Sequence, residues 1–188
     1  MSLKGRNILV GLSGGIACYK VATVVSALAQ EGAQITVLMT EGATRFVAPL
    51  TFGALSGNAV HTDLWEQTDS SDPQHIRMSR SAELLLIAPC TMDMMSKLVT
   101  GRTDDVVSLV ASAIDRQRQT VIIAPSMNEV MWNQPANQRN LRQLVEDGYE
   151  VVGPGSGWQA CRTEGVGRMA EPAELIEAVK KSLAIPRK

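Results

Sequence analysis

Short uninterrupted apolar runs recur along this chain, separated by stretches whose apolar positions follow helical spacing. Ile8-Leu9-Val10, Ile35-Thr36-Val37-Leu38, Leu84-Leu85-Leu86-Ile87 and the run at 121–124 read as buried strands, with 149–152 as the last strand. After the first run, Val21, Val24, Val25 and Leu28 fall at i, i+3, i+4 and i+7 of a helix that Gly32 closes. Further helical stretches are expected over 43–55, from His75, over 92–99, 105–114 and 137–146 (closed by Gly148), and after Glu171-Pro172. Two segments carry no such pattern. Residues 57–74 are polar and irregular, the best candidate for a mobile loop, and 153–167 hold five glycines and one proline in a long, functional-looking loop. Continuous apolar strands alternating with helices predict an α/β fold: one domain, an open parallel sheet with helices on both faces.

Composition narrows the setting. The 188 residues suffice for one domain with a proper core, and 45% hydrophobic with 20% charged residues is ordinary for a globular protein. A net charge of −1, with both signs interspersed, leaves no electrostatic footprint for nucleic acid or anionic lipid. No run approaches membrane-spanning length, and the first residues lack the apolar core of a signal peptide. Cys18, Cys90 and Cys161 are far apart, which argues against a disulfide framework or a zinc site and for a reducing, cytoplasmic setting. The end Ile185-Pro186-Arg187-Lys188 reads either as a true terminus or as the start of a linker.

Candidate chemistry gathers at the strand ends, where open α/β sheets bind ligands. Ala124-Pro125-Ser126-Met127-Asn128 stops a buried strand at a loop and places the Asn128 amide, both donor and acceptor, at the mouth of the crevice. Gly11-Leu12-Ser13-Gly14-Gly15-Ile16 leads into the first helix, whose N-terminus offers N–H groups to an anion. Its spacing is neither G-x-G-x-x-G nor a Walker A loop, and a ligand-free tight turn is the alternative. Thr40 suits a phosphate or polyol, while Glu41 keeps a dinucleotide open. In Ala88-Pro89-Cys90-Thr91-Met92-Asp93, Thr91 or Asp93 reads as a helix N-cap, a ligand contact or both. His75 opens a helix leading into a site-bearing strand, a support that His61 lacks. Cys161 lies in the glycine-rich loop, where a thiol that reaches a substrate can donate a proton.

Taken in order, these segments resemble the flavin-dependent cysteine decarboxylases over essentially the whole chain. The resemblance rests on Gly14-Gly15-Ile16-Ala17 with Tyr19-Lys20, Thr40 with Ala43 and Phe46-Val47, and His75-Ile76. It continues through Ala88-Pro89, Pro125-Ser126-Met127-Asn128 with Met131-Trp132, and Ala160-Cys161 with Gly165, Gly167, Arg168 and Met169. It implies FMN as cofactor, held by Ser13, Gly14, Gly15, Thr40, Phe46, Pro89, Thr91 and Ser126, and no metal. His75 and Cys161 are the implied catalytic residues. Asn128 holds the substrate carboxylate, Met127 is a further substrate-binding residue, Arg168 and Met169 belong to a flap, and Arg162 and Arg168 are candidate partners for a substrate phosphate.

The implied reaction turns 4′-phosphopantothenoylcysteine into 4′-phosphopantetheine. FMN oxidises the thiol before carbon dioxide leaves, and Cys161 is the acid of the reductive return. A peptidyl-cysteine decarboxylase of the same family, which stops at the enethiol, and a non-catalytic flavin-binding regulator are the alternatives. The family also implies a homotrimer or multiple of trimers, with His75 serving a neighbour's flavin. In many bacteria a phosphopantothenate-cysteine ligase follows in the same polypeptide. The chain departs from the family pattern in three places: Cys90-Thr91-Met92-Asp93 stands where many relatives have Ser-Ala-Asn-Thr, Arg162 where most have Gly, and Ser126 where Ala is commoner.

Overall fold

The four longest apolar runs form the centre of one sheet in the computed structural model, which describes residues 2–65 and 73–185. They become β1 (Asn7–Leu12), β2 (Gln34–Met39), β4 (Leu84–Cys90) and β5 (Thr120–Pro125). Two-residue strands β3 (Val60–His61) and β6 (Glu150–Val151) flank them. All pairings are parallel, in the order β3-β2-β1-β4-β5-β6. Along each central strand, alternate residues enter different cores. Ile8, Val10 and Leu12 pack in one cluster with Val21 and Leu28 of α1 (Cys18–Gln30) and Leu175 and Val179 of α9 (Pro172–Ala184). Leu9, Leu85 and Ile87 join the other with Met94 and Leu98 of α5 (Met92–Thr100), Val107 and Val110 of α6 (Val106–Ser112) and Leu144 of α8 (Pro135–Glu146). Burial on both faces is why the strands read as unbroken apolar runs. The open parallel α/β fold expected from the sequence is the one observed.

Four local expectations change. The single helix over 43–55 is two, α2 (Glu41–Thr44) and α3 (Pro49–Ser56), because Pro49 lacks an N–H and holds Ala48 in extended backbone. The irregular 57–74 segment contributes β3 and, at Gln74, the start of α4 (Gln74–Ser81); 66–72 lie outside the described residues, as does the tail 186–188. A short helix α7 (Glu129–Trp132) follows Asn128 where none was expected. Finally, 153–167 is an antiparallel hairpin of β7 (Gly155–Trp158) and β8 (Glu164–Arg168), so 149–152 is not the last strand. At its tip, Arg162 N–H donates to Gln159 O (2.9 Å) and Gln159 N–H to Thr163 O (2.8 Å). Ala160 and Cys161 thus form a turn closed by Arg162, whose φ of 66° is left-handed. Among the described residues, no helix is long and apolar enough to cross a membrane.

Candidate functional site

The sheet order reverses at β1, and the ends of β1, β2, β4 and β5 border a cavity of about 1060 Å³. A crevice outside the strand ends at such a reversal is where this class of fold binds ligands. One wall is an anion cradle. The N–H groups of Gly14, Gly15, Ile16 and Ala17 donate to no backbone acceptor, and Ala17, at the N-cap of α1, makes no side-chain cap bond. Gly14 lies against Gly42: a Cβ on Gly14 would stand 2.9 Å from Gly42 C, so no side chain fits between the two turns. Thr40 caps α2 by accepting Ala43 N–H at 3.2 Å, which leaves its own hydroxyl proton to donate. Free donors, a helix N-terminus and a close backbone approach together fit a phosphate-bearing group.

Ser13 lines the cavity and also ties two strand ends together. Its buried hydroxyl donates to Pro89 O at 2.7 Å and accepts Thr91 N–H at 3.0 Å, joining the ends of β1 and β4. The one proton it has is therefore committed. Thr91, not Asp93, caps α5, accepting Met94 N–H at 3.3 Å. Asp93 pairs with Lys97 at 3.4 Å, and Lys97 also holds Asp104 and Asp105 at 2.9 Å. Burial opposes the Lys97 charge, but hydrogen bonds to Asp105 and Asp104 and the field of Asp93 outweigh it and raise its pKa above the ordinary lysine range. The carboxylate that breaks the family pattern thus has a counter-charge.

The opposite wall carries Ser126, Met127 and Asn128 after β5, together with the hairpin. Asn128 Oδ1 accepts Met131 N–H at 2.9 Å as the N-cap of α7, so its Nδ2 is the end left to donate to a ligand. Cys161 is exposed at the hairpin tip, with Thr163 Oγ1 at 3.0 Å and Gln159 Oε1 at 3.5 Å. Burial raises the pKa of the Cys18 thiol, and of the Cys90 thiol further, which keeps both protonated inside the core. Arg168 lines the cavity but is engaged: Glu171 Oε1 accepts from both Arg168 Nη2 (2.5 Å) and Lys20 Nζ (2.9 Å). Met169 is 2% exposed, so the expected flap is anchored in the core at that point.

Four expected site residues lie outside the cavity lining. Pro89 is buried near the end of β4, its carbonyl held by Ser13; Arg162 is exposed at the hairpin tip; Phe46 is 50% exposed; and His75 is on α4. His75's neighbour Gln74 is bonded to His61 (2.6 Å), which links the two histidine segments. Lys20, Lys97, Gln159 and Glu171 are the residues that sequence reasoning passed over. Lys20 and Glu171 meet across 151 residues and Gln159 and Glu129 across 30, so no local pattern marks those contacts; Lys97 draws on Asp93, Asp104 and Asp105 nearby, where the pattern reads only as helix-surface ion pairing. A second hollow, of about 740 Å³, holds the ion pairs Arg6–Glu83 and Arg118–Asp115 and none of the strand-end chemistry.

Comparison with known proteins adds three likenesses. The bifunctional coenzyme A biosynthesis protein CoaBC of Bacillus subtilis is 41% identical over 182 residues, covering 97% of this chain and 44% of that protein. The chain thus spans less than half the length of this curated relative. The FMN-dependent cysteine decarboxylase SpaF superposes with a TM-score of 0.78 at 30% identity, covering 95% of this chain and 99% of that one. A PPC decarboxylase complexed with pantothenoylaminoethenethiol shares the fold, with a TM-score of 0.86 at 24% identity over 97% of this chain and 100% of that one. With a strand-end cavity built around an anion cradle, and a family model matched over residues 1–184, this chain belongs to the Flavoprotein family.

Proposed function

We propose that this chain binds FMN and decarboxylates 4′-phosphopantothenoylcysteine to 4′-phosphopantetheine, a step of coenzyme A biosynthesis. One observation carries the reading: the anion cradle, the free amide of Asn128 and the exposed thiol of Cys161 open into the same cavity. The 41% likeness to a coenzyme A biosynthesis protein and the 30% likeness to an FMN-dependent cysteine decarboxylase support it.

In this reading the N–H groups of Gly14 to Ala17 and the Thr40 hydroxyl hold the FMN phosphate, and Thr91 and Ser126 border the cofactor. When bound, FMN supplies a two-electron sink beside the substrate thiol. Asn128 Nδ2 donates to the substrate carboxylate and fixes it over the site. Hairpin residues close over the substrate and keep water out as the carboxylate leaves. Cys161 then gives its proton to carbon. Lys20 and Arg168 line the wall and share Glu171, which leaves one net positive charge there and suits a phosphorylated substrate.

His75 serves the cavity of a neighbouring copy in a homotrimer or a multiple of trimers. The exposed apolar side chains of Ile16, Phe46 and Leu50 supply surface for such an assembly to cover. The setting is the cytoplasm, with a phosphopantothenate-cysteine ligase as fused or associated partner, in keeping with the bifunctional relative.

The test is direct. Purified protein is expected to be yellow and to release FMN on denaturation. With 4′-phosphopantothenoylcysteine the wild type yields phosphopantetheine, and Cys161→Ser yields a product two hydrogens lighter. Colourless protein that takes up no FMN, or identical products from both forms, defeats the proposal.

A further inference from the structure

Gln159 belongs to none of the expected site residues, yet its side chain spans the site. It is 7% exposed. Its Oε1 accepts Glu129 N–H at 3.2 Å and faces the Cys161 thiol, which donates to it at 3.5 Å. Its Nε2 donates to Val166 O at 3.0 Å. Close by, Met127 N–H donates to Gly167 O (2.9 Å) and Val166 N–H to Glu129 Oε1 (3.4 Å). Asn128 therefore stands between two residues, Met127 and Glu129, that are each hydrogen-bonded to the hairpin bearing Cys161. The bond to Glu129 N–H comes from the same oxygen that takes the thiol.

We infer that Gln159 is the positioning residue that sets the Cys161 thiol against the Asn128 amide. The inference rests on the decarboxylase reading and adds how its proton donor and carboxylate site are kept in register. A thiol is a weak hydrogen-bonding group and does not orient itself. A two-stranded hairpin alone is marginal, so its tip needs an external tie. The chemistry makes the register matter. The carbon that takes the proton is the carbon that lost the carboxylate. The π pair of the enethiolate forms the new C–H bond as the proton leaves Cys161 Sγ, giving a thioaldehyde that the two electrons held by bound FMN would reduce to the thiol, and the Cys161 thiolate regains a proton from water. Donor and carboxylate holder must then be fixed relative to one another, and a misplacement of about 1 Å can lower a rate roughly 100-fold.

The test compares products, binding and amide exchange in the FMN-loaded protein. Gln159→Met keeps the length and removes every hydrogen bond of the amide. It is expected to keep FMN and carbon dioxide release while the ratio of the two-hydrogen-lighter product to phosphopantetheine rises by about tenfold or more. Hydrogen exchange at Glu129 N–H should quicken in the same variant. Gln159→Glu keeps an acceptor oxygen and is expected to retain phosphopantetheine as main product; if the Met variant does not fold, Gln159→Asn, which draws the amide back by one methylene from the thiol, takes its place with the same expected rise in the ratio. Thr163→Val touches Cys161 but not the Asn128 loop and should leave the ratio near wild type. An unchanged ratio in folded Gln159→Met, or equal loss of carbon dioxide release and reduced product, overturns the inference. So does a Thr163→Val shift as large as that of Gln159→Met. A wild type that releases no carbon dioxide overturns the decarboxylase reading itself.

Discussion

Gly167 is joined backbone to backbone with Met127: Met127 N–H donates to Gly167 O at 2.9 Å, and a Cβ on Gly167 would stand 2.3 Å from Met127 O. The φ of 129° at Gly167 adds conformational strain for any other residue. Gly167→Ala is therefore expected to cost on the order of 2 kcal/mol and to undock the hairpin, with activity falling far more than FMN affinity. Thermal unfolding, FMN titration and turnover measured together check this.

Ser13 and Thr40 should separate cleanly. Ser13→Ala strips the side-chain clamp between Pro89 O and Thr91 N–H; Pro89 O keeps the Ser13 backbone N–H at 3.2 Å, but Thr91 N–H loses its acceptor, a loss of about 1–3 kcal/mol. Thr40→Val removes a free hydroxyl proton from the cradle and should weaken FMN binding, while Thr40→Ser keeps it. Equal FMN affinity in Thr40→Val and wild type would remove Thr40 from the cofactor site.

Arg162 holds a conformation that suits glycine, with φ at 66°. Left-handed backbone costs a non-glycine residue roughly 1–2 kcal/mol, against about 0.4–1 kcal/mol of added unfolded-state freedom for glycine. Arg162→Gly should thus stabilise the protein slightly in denaturant titrations. A raised KM with unchanged kcat in that variant would assign the Arg162 guanidinium to the substrate phosphate.

Asn128→Asp preserves the cap on Met131 N–H, because Asp caps helices as well as Asn. The fold and bound FMN should survive, and decarboxylation should fall sharply because a carboxylate repels the substrate's own. Loss of flavin instead would place Asn128 in the cofactor site.

The Glu171 carboxyl is held below the ordinary carboxylate range, first by the hydrogen bond from Lys20, against a burial effect, and then by the charges of Lys20 and Arg168. A group whose folded pKa is depressed stabilises above its unfolded value and loses that contribution as pH falls through the folded one. Glu171→Gln should therefore melt lower than wild type near neutral pH, with the gap closing in acid. The group is half-exposed, so the gap is small and shrinks with salt.

What could be read from the sequence follows from what physical signal each feature leaves there. Strands such as Leu84–Cys90 are covered on both faces and announce themselves as apolar runs. The hairpin stayed hidden because β7 and β8 contain Gly155, Gly157, Gly165 and Gly167, which carry no apolar alternation. Those glycines answer to backbone contacts instead: a Cβ on Gly165 would stand 2.6 Å from Glu129 Oε2. Val60–His61 and Glu129–Trp132 are too short to build a period. At the site, strand-end residues such as Thr40 and Asn128 were legible because prolines, glycines and capping residues mark where strands stop. Gln159 and Lys97 were not, since their partners Glu129, Asp104 and Asp105 become neighbours only after folding.

The contact between Gly14 and Gly42 makes the cradle rigid before any ligand arrives. Its donors need no gathering, so the entropy of arranging them is met during folding rather than during capture. Cofactor uptake should then be a single second-order process, linear in FMN concentration with no slow unimolecular phase, and the empty protein should melt as one cooperative unit.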